Sequence, residues 1–219
     1  VSLINSYFCK MTELQEKAVE NGQMLPIMED FYTIQGEGHH TGLASYFIRI
    51  GGCDVGCHWC DVKESWNPDI HPPKSIEAIA DHAIEKSSTV VITGGEPLTW
   101  NMQPLTERLK SAGARIHIET SGAYKLTGIW DWICLSPKKI KLPQPEIYPL
   151  ADELKVIIFN KHDFTFAEEQ RKKVGDHCLL YLQPEWSVRD KMMPQIVDYI
   201  MKNPQWRISL QTHKYLRIP

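Results

Sequence analysis

Three cysteines lie close together in the segment Cys53-Asp-Val-Gly-Cys57-His-Trp-Cys60. This C-x3-C-x2-C spacing is poor for a disulfide framework and typical of a metal site. Three thiolates bound to a [4Fe–4S] cluster would leave one iron free for a non-protein ligand, so such a site can do chemistry as well as carry electrons. The spacing therefore favours an iron–sulfur cluster held by Cys53, Cys57 and Cys60.

A structural zinc site is the main alternative for this motif. It would use the three cysteines with His58 as the fourth ligand. Structural zinc sites usually draw their ligands as two separated pairs, however, and no second pair follows in this chain. A redox role for the C-x2-C pair would leave the third cysteine unused. The other cysteines, Cys9, Cys134 and Cys178, lie in apolar settings and are predicted to be buried thiols.

Two charged residues have features that suit the binding of a small molecule. Arg49 can make two parallel charge-assisted hydrogen bonds to a carboxylate, although a surface ion pair is the alternative. Glu37 lies in a Gly-Glu-Gly turn, where the glycines let the backbone approach a flat heterocycle and the carboxylate can accept from ring N–H groups. Otherwise Glu37 is only a turn residue.

Segments of strand length and helix length alternate along the chain and must position these residues. Strands are predicted at Tyr46–Ile50, Val90–Thr93, Arg115–Glu119, Ile133–Leu135, Leu154–Phe159, Leu179–Gln183 and Ile208–Gln211. Helices are predicted after Ser75 and over Met102–Ala112, Phe164–Val174 and Lys191–Lys202. The alternation predicts an α/β fold with a mainly parallel sheet, either open or a partial (β/α) barrel, with ligands at the carboxyl ends of the strands. The Lys139–Pro149 stretch is predicted to be a surface loop.

Length and composition fit one substantial domain that binds small molecules. The chain has 219 residues, of which 42% are hydrophobic, and a net charge of −3 without a long basic run, so neither nucleic acid nor an anionic membrane is an expected partner. No stretch approaches the roughly 18 to 20 apolar residues that cross a bilayer, and no signal-peptide pattern is visible, so a cytoplasmic location is expected. Thr12 and Gln15 form a capping box that predicts a short helix ending near Gly22.

A second motif, Gly94-Gly95-Glu96-Pro97, follows a later predicted strand. With the cysteine motif it resembles the radical S-adenosylmethionine (SAM) superfamily, in which the second motif receives the methionine amino group. The resemblance narrows to the 7-carboxy-7-deazaguanine synthase family through Phe31-Tyr-Thr-Ile-Gln-Gly-Glu-Gly38, Phe47-Ile-Arg49, Cys60-Asp61, Ile118-Glu-Thr-Ser-Gly122, Ser136-Pro-Lys138 and Gln211-Thr-His-Lys-Tyr-Leu216. It implies a catalytic domain with a partial barrel over residues 29–219, and an N-terminal extension over residues 1–28.

The resemblance also implies three sets of ligands. The cluster would be held by Cys53, Cys57 and Cys60. SAM would be bound by Trp59, Cys60, Asp61, Gly95, Glu96, Ser136, Pro137 and Lys138, with Gln183, Pro184, Glu185 and Trp186 closing the pocket over the adenosine. The substrate would be bound by Ile34, Gln35, Gly36, Glu37, Arg49, Thr93 and Pro219, the last through a terminal carboxylate. No catalytic side chain is implied beyond the cluster and SAM, and His213 is the residue to test.

The implied activity is the conversion of 6-carboxy-5,6,7,8-tetrahydropterin to 7-carboxy-7-deazaguanine with loss of ammonia, in the biosynthesis of queuosine and related 7-deazapurines. The resemblance implies a SAM-derived radical that takes hydrogen from C6 of the substrate, a flavodoxin or ferredoxin as electron donor, and a homodimer. The family often holds Mg²⁺ with a Thr or Ser after Cys-Asp, where this chain has Val62. Magnesium would then bind through substrate oxygens and water, or Lys63 would neutralise the substrate carboxylate instead.

Other functions share the cysteine motif. A glycyl-radical-activating enzyme has the same spacing but acts on a protein backbone, and the Gln-Gly-Glu-Gly segment and the C-terminal motif disfavour it. A zinc-stabilised binding module or an iron–sulfur electron carrier would leave the Gly94-Gly95-Glu96-Pro97 motif unexplained.

Overall fold

A computed structural model of the chain describes residues 13–219. It begins with helix α1 (Glu13–Glu20), which agrees with the predicted short helix, although Thr12 of the predicted capping box and Cys9 lie outside the described residues. The helix ends at Glu20 and the chain turns away at Gly22, whose φ is 73°. The N–H of Gln23 donates to the carbonyl of Ala18 at 2.8 Å, and that of Gly22 donates to Val19 at 3.0 Å. This is the glycine-terminated arrangement expected of a helix end.

Within residues 13–219, nine strands form one open, mainly parallel sheet. The strands are β1 (Met24–Ile34), β2 (Ala44–Ile50), β3 (Pro73–Ser75), β4 (Thr89–Gly94), β5 (Arg115–Thr120), β6 (Trp132–Leu135), β7 (Glu153–Ile158), β8 (Leu179–Pro184) and β9 (Trp206–Ile208). Their order is β3-β1-β2-β4-β5-β6-β7-β8-β9. Strand β1 is antiparallel to both of its neighbours, and each pair from β2 to β9 is parallel. The predicted α/β fold with a mainly parallel sheet is confirmed.

The remaining helices lie between successive strands and pack against the sheet, except the last, which follows β9 and carries His213. They are α2 (Ile76–Lys86), α3 (Gln103–Ser111), α4 (His162–Arg171), α5 (Arg189–Lys202) and α6 (Thr212–Leu216). Ser75 caps α2, since its hydroxyl accepts from the N–H of Ala78 at 3.3 Å, and Ile79 and Ala83 bury one face of this helix. Among the helices of the described chain, none has the length and apolar character needed to cross a membrane.

Three sequence predictions of elements differ from the structure. Strand β9 lies at Trp206–Ile208, so the prediction of a strand at Ile208–Gln211 is wrong in position. Strands β1 and β3 were not predicted, and β1 crosses the position between residues 28 and 29 where an extension was expected to end. In the predicted surface loop, Pro145–Leu150 forms a 3-10 helix that buries Ile147 and Tyr148, because their apolar side chains join the main core.

Alternation of side chains along the strands separates the core from the site. Residues such as Ile92, Ile118 and Val156 point toward the helices and join the apolar core. The residues between them point to the other face, where β5 carries Glu119 and β7 carries Lys155. One sheet face is therefore apolar and the opposite face is rich in polar and charged groups.

Candidate active site

A cavity of about 270 Å³ lies at the carboxyl ends of the parallel strands. Of the residues predicted to bind the cluster, SAM or the substrate, all line this cavity except Pro137. His213, the histidine chosen for testing, lines it as well. The fold thus brings together residues that extend from Ile34 to Pro219 in the sequence.

The loop after β2 holds the three cysteines at one end of the cavity, which we call the cluster end. The loop is anchored by its own backbone, because the N–H of Gly52 donates to the carbonyl of Ser65 at 2.6 Å and the N–H of Cys60 donates to Cys57 at 3.0 Å. The thiols of Cys53, Cys57 and Cys60 are free and face the cavity. Burial raises the pKa of the Cys53 and Cys57 thiols, and the neighbouring thiols add to this effect.

The three thiols share one cavity, which His58 does not line. In residues 13–219, no group of three or more His, Cys, Asp and Glu side chains is arranged to hold one metal ion. His58, the fourth ligand in the zinc interpretation, packs edge-on against Phe159 with ring centroids 5.1 Å apart. A [4Fe–4S] cluster binds each cysteine to a different iron, so it requires three thiols around one space, as found here.

The Gly94-Gly95 turn after β4 packs directly on the cysteine loop. Gly94 has a φ of 148°, and a Cβ there would lie 2.1 Å from the carbonyl oxygen of Ile50. A Cβ on Gly95 would lie 2.7 Å from the Cβ of Cys53. Only glycine permits this approach of two backbones. The N–H groups of Gly95 and Glu96 donate to the carbonyls of Ile50 and Gly52 at 2.9 Å, which fastens the turn to the cysteine loop.

Glu96 is buried beneath this turn, with 1% of its surface exposed. Its carboxylate accepts from the Thr120 hydroxyl at 2.5 Å, from the Ser121 N–H at 2.7 Å, from the Ser121 hydroxyl and from the Leu98 N–H at 3.1 Å. These bonds join the end of β4 to the end of β5. The Glu96 carboxylate thus holds the Gly94-Gly95 turn in place against the end of β5.

The side of the cavity predicted to bind SAM contains a half-buried lysine and an aromatic wall. The ammonium of Lys138 donates to the carbonyl and hydroxyl oxygens of Ser136 at 2.6 and 2.7 Å, and lies 5.5 Å from the centre of the Trp59 ring. Burial lowers the pKa of Lys138. Trp186 lies opposite under the guanidinium of Arg189, at 4.2 Å.

The other side, which we call the substrate end, contains two carboxylates whose four oxygens all have protein partners. Lys155 donates to Glu37 Oε2 at 2.5 Å and to Glu119 Oε2 at 3.2 Å. Gln35 donates to Glu119 Oε1 at 2.8 Å, and Gln211 donates to Glu37 Oε1 at 3.0 Å. The carboxylates are held in fixed orientations at the cavity wall.

At the substrate end, the surrounding groups favour the charged forms of Glu37 and Lys155, whereas burial favours the neutral form of His213. Burial would raise the pKa of Glu37, but the charge and hydrogen bond of Lys155 and the hydrogen bond of Gln211 lower it to about 2. Burial would lower the pKa of Lys155, but the surrounding Cys134, Glu119 and Glu37 raise it well above its ordinary value. Burial lowers the pKa of His213, so its imidazole is predominantly neutral at pH 7.

Sequence reasoning assigned no role to Glu119, Lys155 and Gln211, although all three line the cavity. Glu119 and Gln211 lie in two of the segments that carry the family resemblance, which was a usable signal. Lys155 had a weaker signal, since it is the one charged residue within the apolar run Leu154–Phe159.

Three residues were considered for the substrate carboxylate or its magnesium ion, and only two of them, Arg49 and Val62, line the cavity. Arg49 lines the cavity, and its Nε lies 2.7 Å from the Glu29 carboxylate, so the ion pair is present and the contact with a substrate carboxylate stays a prediction. Val62 lines the cavity and offers no oxygen. Lys63 does not line it, and its ammonium lies 5.9 Å from the Trp66 ring. The structure therefore gives no support to Lys63 as the group that neutralises the substrate carboxylate.

A small polar pocket of about 10 Å³ lies on the same sheet face and shares Glu119 and Lys155 with the main cavity. The His40 ring stacks on His117 with centroids 4.4 Å apart and meets Trp132 edge-on at 4.5 Å. Burial lowers the pKa of His117 to about 4. His40 Nε2 and Trp132 Nε1 are buried without a hydrogen-bond partner within the described part of the chain. The substrate end thus rests on a polar layer rather than on apolar core.

Comparison with known proteins agrees with this geometry. Residues 47–132 match the radical SAM superfamily. These residues include the cysteine loop and the Gly94-Gly95 turn, which both lie at the edge of the parallel sheet. The chain is therefore a radical SAM protein. The 7-carboxy-7-deazaguanine synthase of Flavobacterium psychrophilum is 65% identical over 209 residues, covering 95% of this chain and 100% of the relative. The chain belongs to the 7-carboxy-7-deazaguanine synthase family.

Two further relatives support that conclusion. The 7-carboxy-7-deazaguanine synthase of Synechocystis sp. is 53% identical over 194 residues, covering 88% of this chain and 93% of the relative. The crystal structure of QueE from Escherichia coli matches with a TM-score of 0.77 at 28% identity, covering 91% of this chain and 99% of that chain. The radical SAM family implies a [4Fe–4S] cluster and SAM, and the three free thiols fit the cluster.

Proposed function

We propose that this chain converts 6-carboxy-5,6,7,8-tetrahydropterin to 7-carboxy-7-deazaguanine with loss of ammonia, as a radical SAM carbon–nitrogen lyase in 7-deazapurine biosynthesis. The observation that carries the proposal is the presence of two distinct sets of groups in one cavity. Three free thiols lie at the cluster end, and a fixed pair of carboxylates lies at the substrate end.

The cluster end binds the cofactors in this proposal. Cys53, Cys57 and Cys60 hold the [4Fe–4S] cluster, which together with bound SAM supplies radical chemistry. The SAM set assigned from the sequence keeps its roles: Trp59, Cys60, Asp61, Gly95, Ser136, Pro137, Lys138, Gln183, Pro184, Glu185 and Trp186. Glu96 acts indirectly, because its carboxylate is occupied by Thr120, Ser121 and Leu98 and holds the turn that carries Gly95.

The substrate end recognises the two sides of the pterin. Glu37 and Glu119 accept hydrogen bonds from the amine and N–H groups of the ring, whereas Arg49 binds the carboxylate. Ile34, Gln35, Gly36, Thr93 and Pro219 form the rest of the substrate wall, as the sequence indicated. Holding the reacting carbon in a fixed place and excluding water is the contribution of these side chains to the rate.

Magnesium enters the proposal only through the substrate and water. Val62 provides no ligand, and the carboxylate of Asp61 is paired with Lys214 at 2.7 Å. Magnesium accepts waters in its octahedral shell, so substrate oxygens and solvent can complete its coordination. The proposal also includes a flavodoxin or ferredoxin as electron donor, a homodimer, and a catalytic domain that spans residues 29–219.

The test is a turnover assay with anaerobically reconstituted, reduced protein. SAM and 6-carboxytetrahydropterin are added with and without Mg²⁺, and 7-carboxy-7-deazaguanine and 5′-deoxyadenosine are followed by mass spectrometry. The expected result is both products from cluster-loaded protein and neither from cluster-free protein. A magnesium requirement would show that the ion binds without a side-chain oxygen at position 62.

The same assay separates the competing functions. If SAM were cleaved but no 7-carboxy-7-deazaguanine formed, the assigned substrate would be wrong, whereas the assignment to the radical SAM class would stand. Intact SAM in a reduced, cluster-loaded sample would reject the enzymatic proposal and leave an electron carrier. Zinc in place of iron on metal analysis would point to a structural site.

A further inference from the structure

Lys155 lies under the substrate end between two carboxylates. Its side chain is 4% exposed, and its ammonium lies 2.5 Å from Glu37 and 3.2 Å from Glu119. The three residues come from the segment after β1, from β5 and from β7. Lys155 is thus the one cation that joins these two acids in the described residues.

Because the Lys155 side chain is buried, its contacts with Glu37 and Glu119 have a large effect on the energy of all three groups. A buried ammonium is costly unless it is paired, and a buried carboxylate left without its partner costs several times more than an exposed one. Gln35 and Gln211 supply neutral donors to the outer oxygens of the two acids, but neither carries a charge. Without Lys155, two carboxylates would share one buried site with no cation between them, and such a pair takes up a proton.

We propose that Lys155 is a positioning residue that donates to both Glu37 and Glu119 and fixes their orientation, so that the pair presents acceptors to the donor-rich edge of a ring substrate. This inference rests on the proposed function. Each carboxylate oxygen has lone pairs beyond the one used by Lys155 or a glutamine, so acceptor capacity remains for a ligand. A ring edge with adjacent amine and N–H groups fits that surface, whereas an acceptor at the same place would be repelled.

Other titratable groups surround Glu37 and Glu119. They are His213 at α6, Glu153 on β7, Cys134 on β6, Lys138 after β6, and His40 and His117 below. Among them, the thiol of Cys134 donates to Glu153, 3.6 Å away. Lys155 is the only one of these groups with a charged contact to both acids.

The experiment compares Lys155→Met and Lys155→Arg with the wild-type holoenzyme. Substrate binding is measured by anaerobic calorimetry between pH 6 and pH 8, and SAM binding is measured on the same samples. We expect Lys155→Met to weaken substrate binding about 30-fold at pH 7 and Lys155→Arg to recover most of that loss, since a lost buried charge partner has effects of this size. SAM affinity is expected to change less than about twofold, because the hydrogen bonds and ion pairs that Lys155 makes within the described residues go to Glu37 and Glu119.

The pH profile is the readout that a merely structural role would not change. In wild type the charge and hydrogen bond of Lys155 and the hydrogen bond of Gln211 lower the pKa of Glu37 to about 2, so its contribution to binding is constant over this range. In Lys155→Met the pair gains a proton as the pH falls, and substrate binding is expected to be weaker at pH 6 than at pH 8. Lys110→Met is the control, because Lys110 pairs with Asp131 at 2.7 Å away from the cavity and should leave both affinities unchanged.

Three results would overturn the inference: wild-type substrate affinity in Lys155→Met, an unaltered pH profile, or an equal loss of SAM affinity. If Lys155→Met does not fold, the double variant Lys155→Met/Glu119→Gln removes one charge of each sign and carries the test. It must bind substrate weakly and show no added pH dependence, since one carboxylate remains. Wild-type protein that fails to bind the pterin would reject the proposed function, whereas active wild type with a normal Lys155→Met would reject this inference alone.

Discussion

The two ends of the cavity are built in different ways. At the cluster end, Cys53, Cys57 and Cys60 are neighbours in sequence, and short backbone hydrogen bonds shape the loop that carries them. At the substrate end, Glu37, Glu119 and Lys155 are far apart in sequence and meet only because the sheet aligns their strands. The cluster end is therefore a local structure, whereas the substrate end depends on the whole fold.

This difference predicts how each end responds to change. Removing a thiol deletes a ligand and leaves the loop with its backbone bonds. Removing a charge from the substrate end leaves other buried charges without a partner, so the damage spreads to its neighbours. Mutations should therefore separate cofactor binding from substrate binding, and the following variants test that separation.

The largest effect is expected from Cys57→Ser. Loss of one of three ligands should abolish cluster assembly, and with it SAM cleavage, because the cluster is the source of the electron. Iron content, visible absorbance and 5′-deoxyadenosine formation measure the result. Cys178→Ser is the control, since Cys178 is buried away from the cavity and should retain a full cluster. Retention of iron and SAM cleavage by Cys57→Ser would remove Cys57 from the cluster.

Glu96→Ala should destabilise the connection between the two ends. The N–H groups of Leu98 and Ser121 would lose a buried acceptor, and we expect a loss of about 4 kcal/mol. For a chain of this size that corresponds to a fall of about 10 °C in the melting temperature. Glu107→Ala is the control, because Glu107 is exposed and accepts only from Gln103. An unchanged melting temperature in Glu96→Ala would show that the turn holds itself.

The sequence predicted the two ends unequally, for the reason that distinguishes them. The cysteine loop and the Gly94-Gly95 turn are local patterns, so their chemistry is readable from residue type and spacing. The alternation that predicted most strands also fixes which residues face the site, yet Lys155 was missed because its partners depend on strand order and register. Strand β1 was missed for a related reason, since its pairing with both β2 and β3 is set by tertiary contacts.

A third prediction concerns the polar layer below the substrate end. Burial, followed by repulsion from His40 and Arg115, lowers the pKa of His117 to about 4, below its ordinary value of 6.5. The neutral form is therefore the one that the fold favours, and its stabilisation is complete above pH 6.5 and is lost as the pH falls from 6.5 to about 4. The loss amounts to roughly 3 kcal/mol.

Thermal unfolding from pH 7 to pH 4.5 checks this prediction. The melting temperature of wild type should fall more steeply than that of His117→Gln, which has no group titrating in this range at position 117. His162→Gln is a matched control on α4, outside the polar layer, and should follow wild type. Parallel curves for wild type and His117→Gln would place the pH dependence elsewhere.

The smallest effect is expected from Gly36→Ala, which changes only the wall of the substrate end. A Cβ at Gly36 would lie 2.3 Å from Nδ1 of His213 and 2.8 Å from its Cβ, so helix α6 must move and not only the ring. That helix is docked on Gly36, whose carbonyl accepts from the N–H of Thr212 at 2.9 Å. We expect substrate affinity to fall about 10-fold, the equivalent of roughly 1.4 kcal/mol. SAM affinity should fall less than substrate affinity, because α6 reaches the SAM set only at its far side, where Lys214 pairs with Asp61 and Tyr215 packs on Trp186. Gly175→Ala is the control, since its added methyl would meet only the His177 ring, away from the cavity. If Gly36→Ala weakened SAM and substrate equally, the two ends would be one coupled unit.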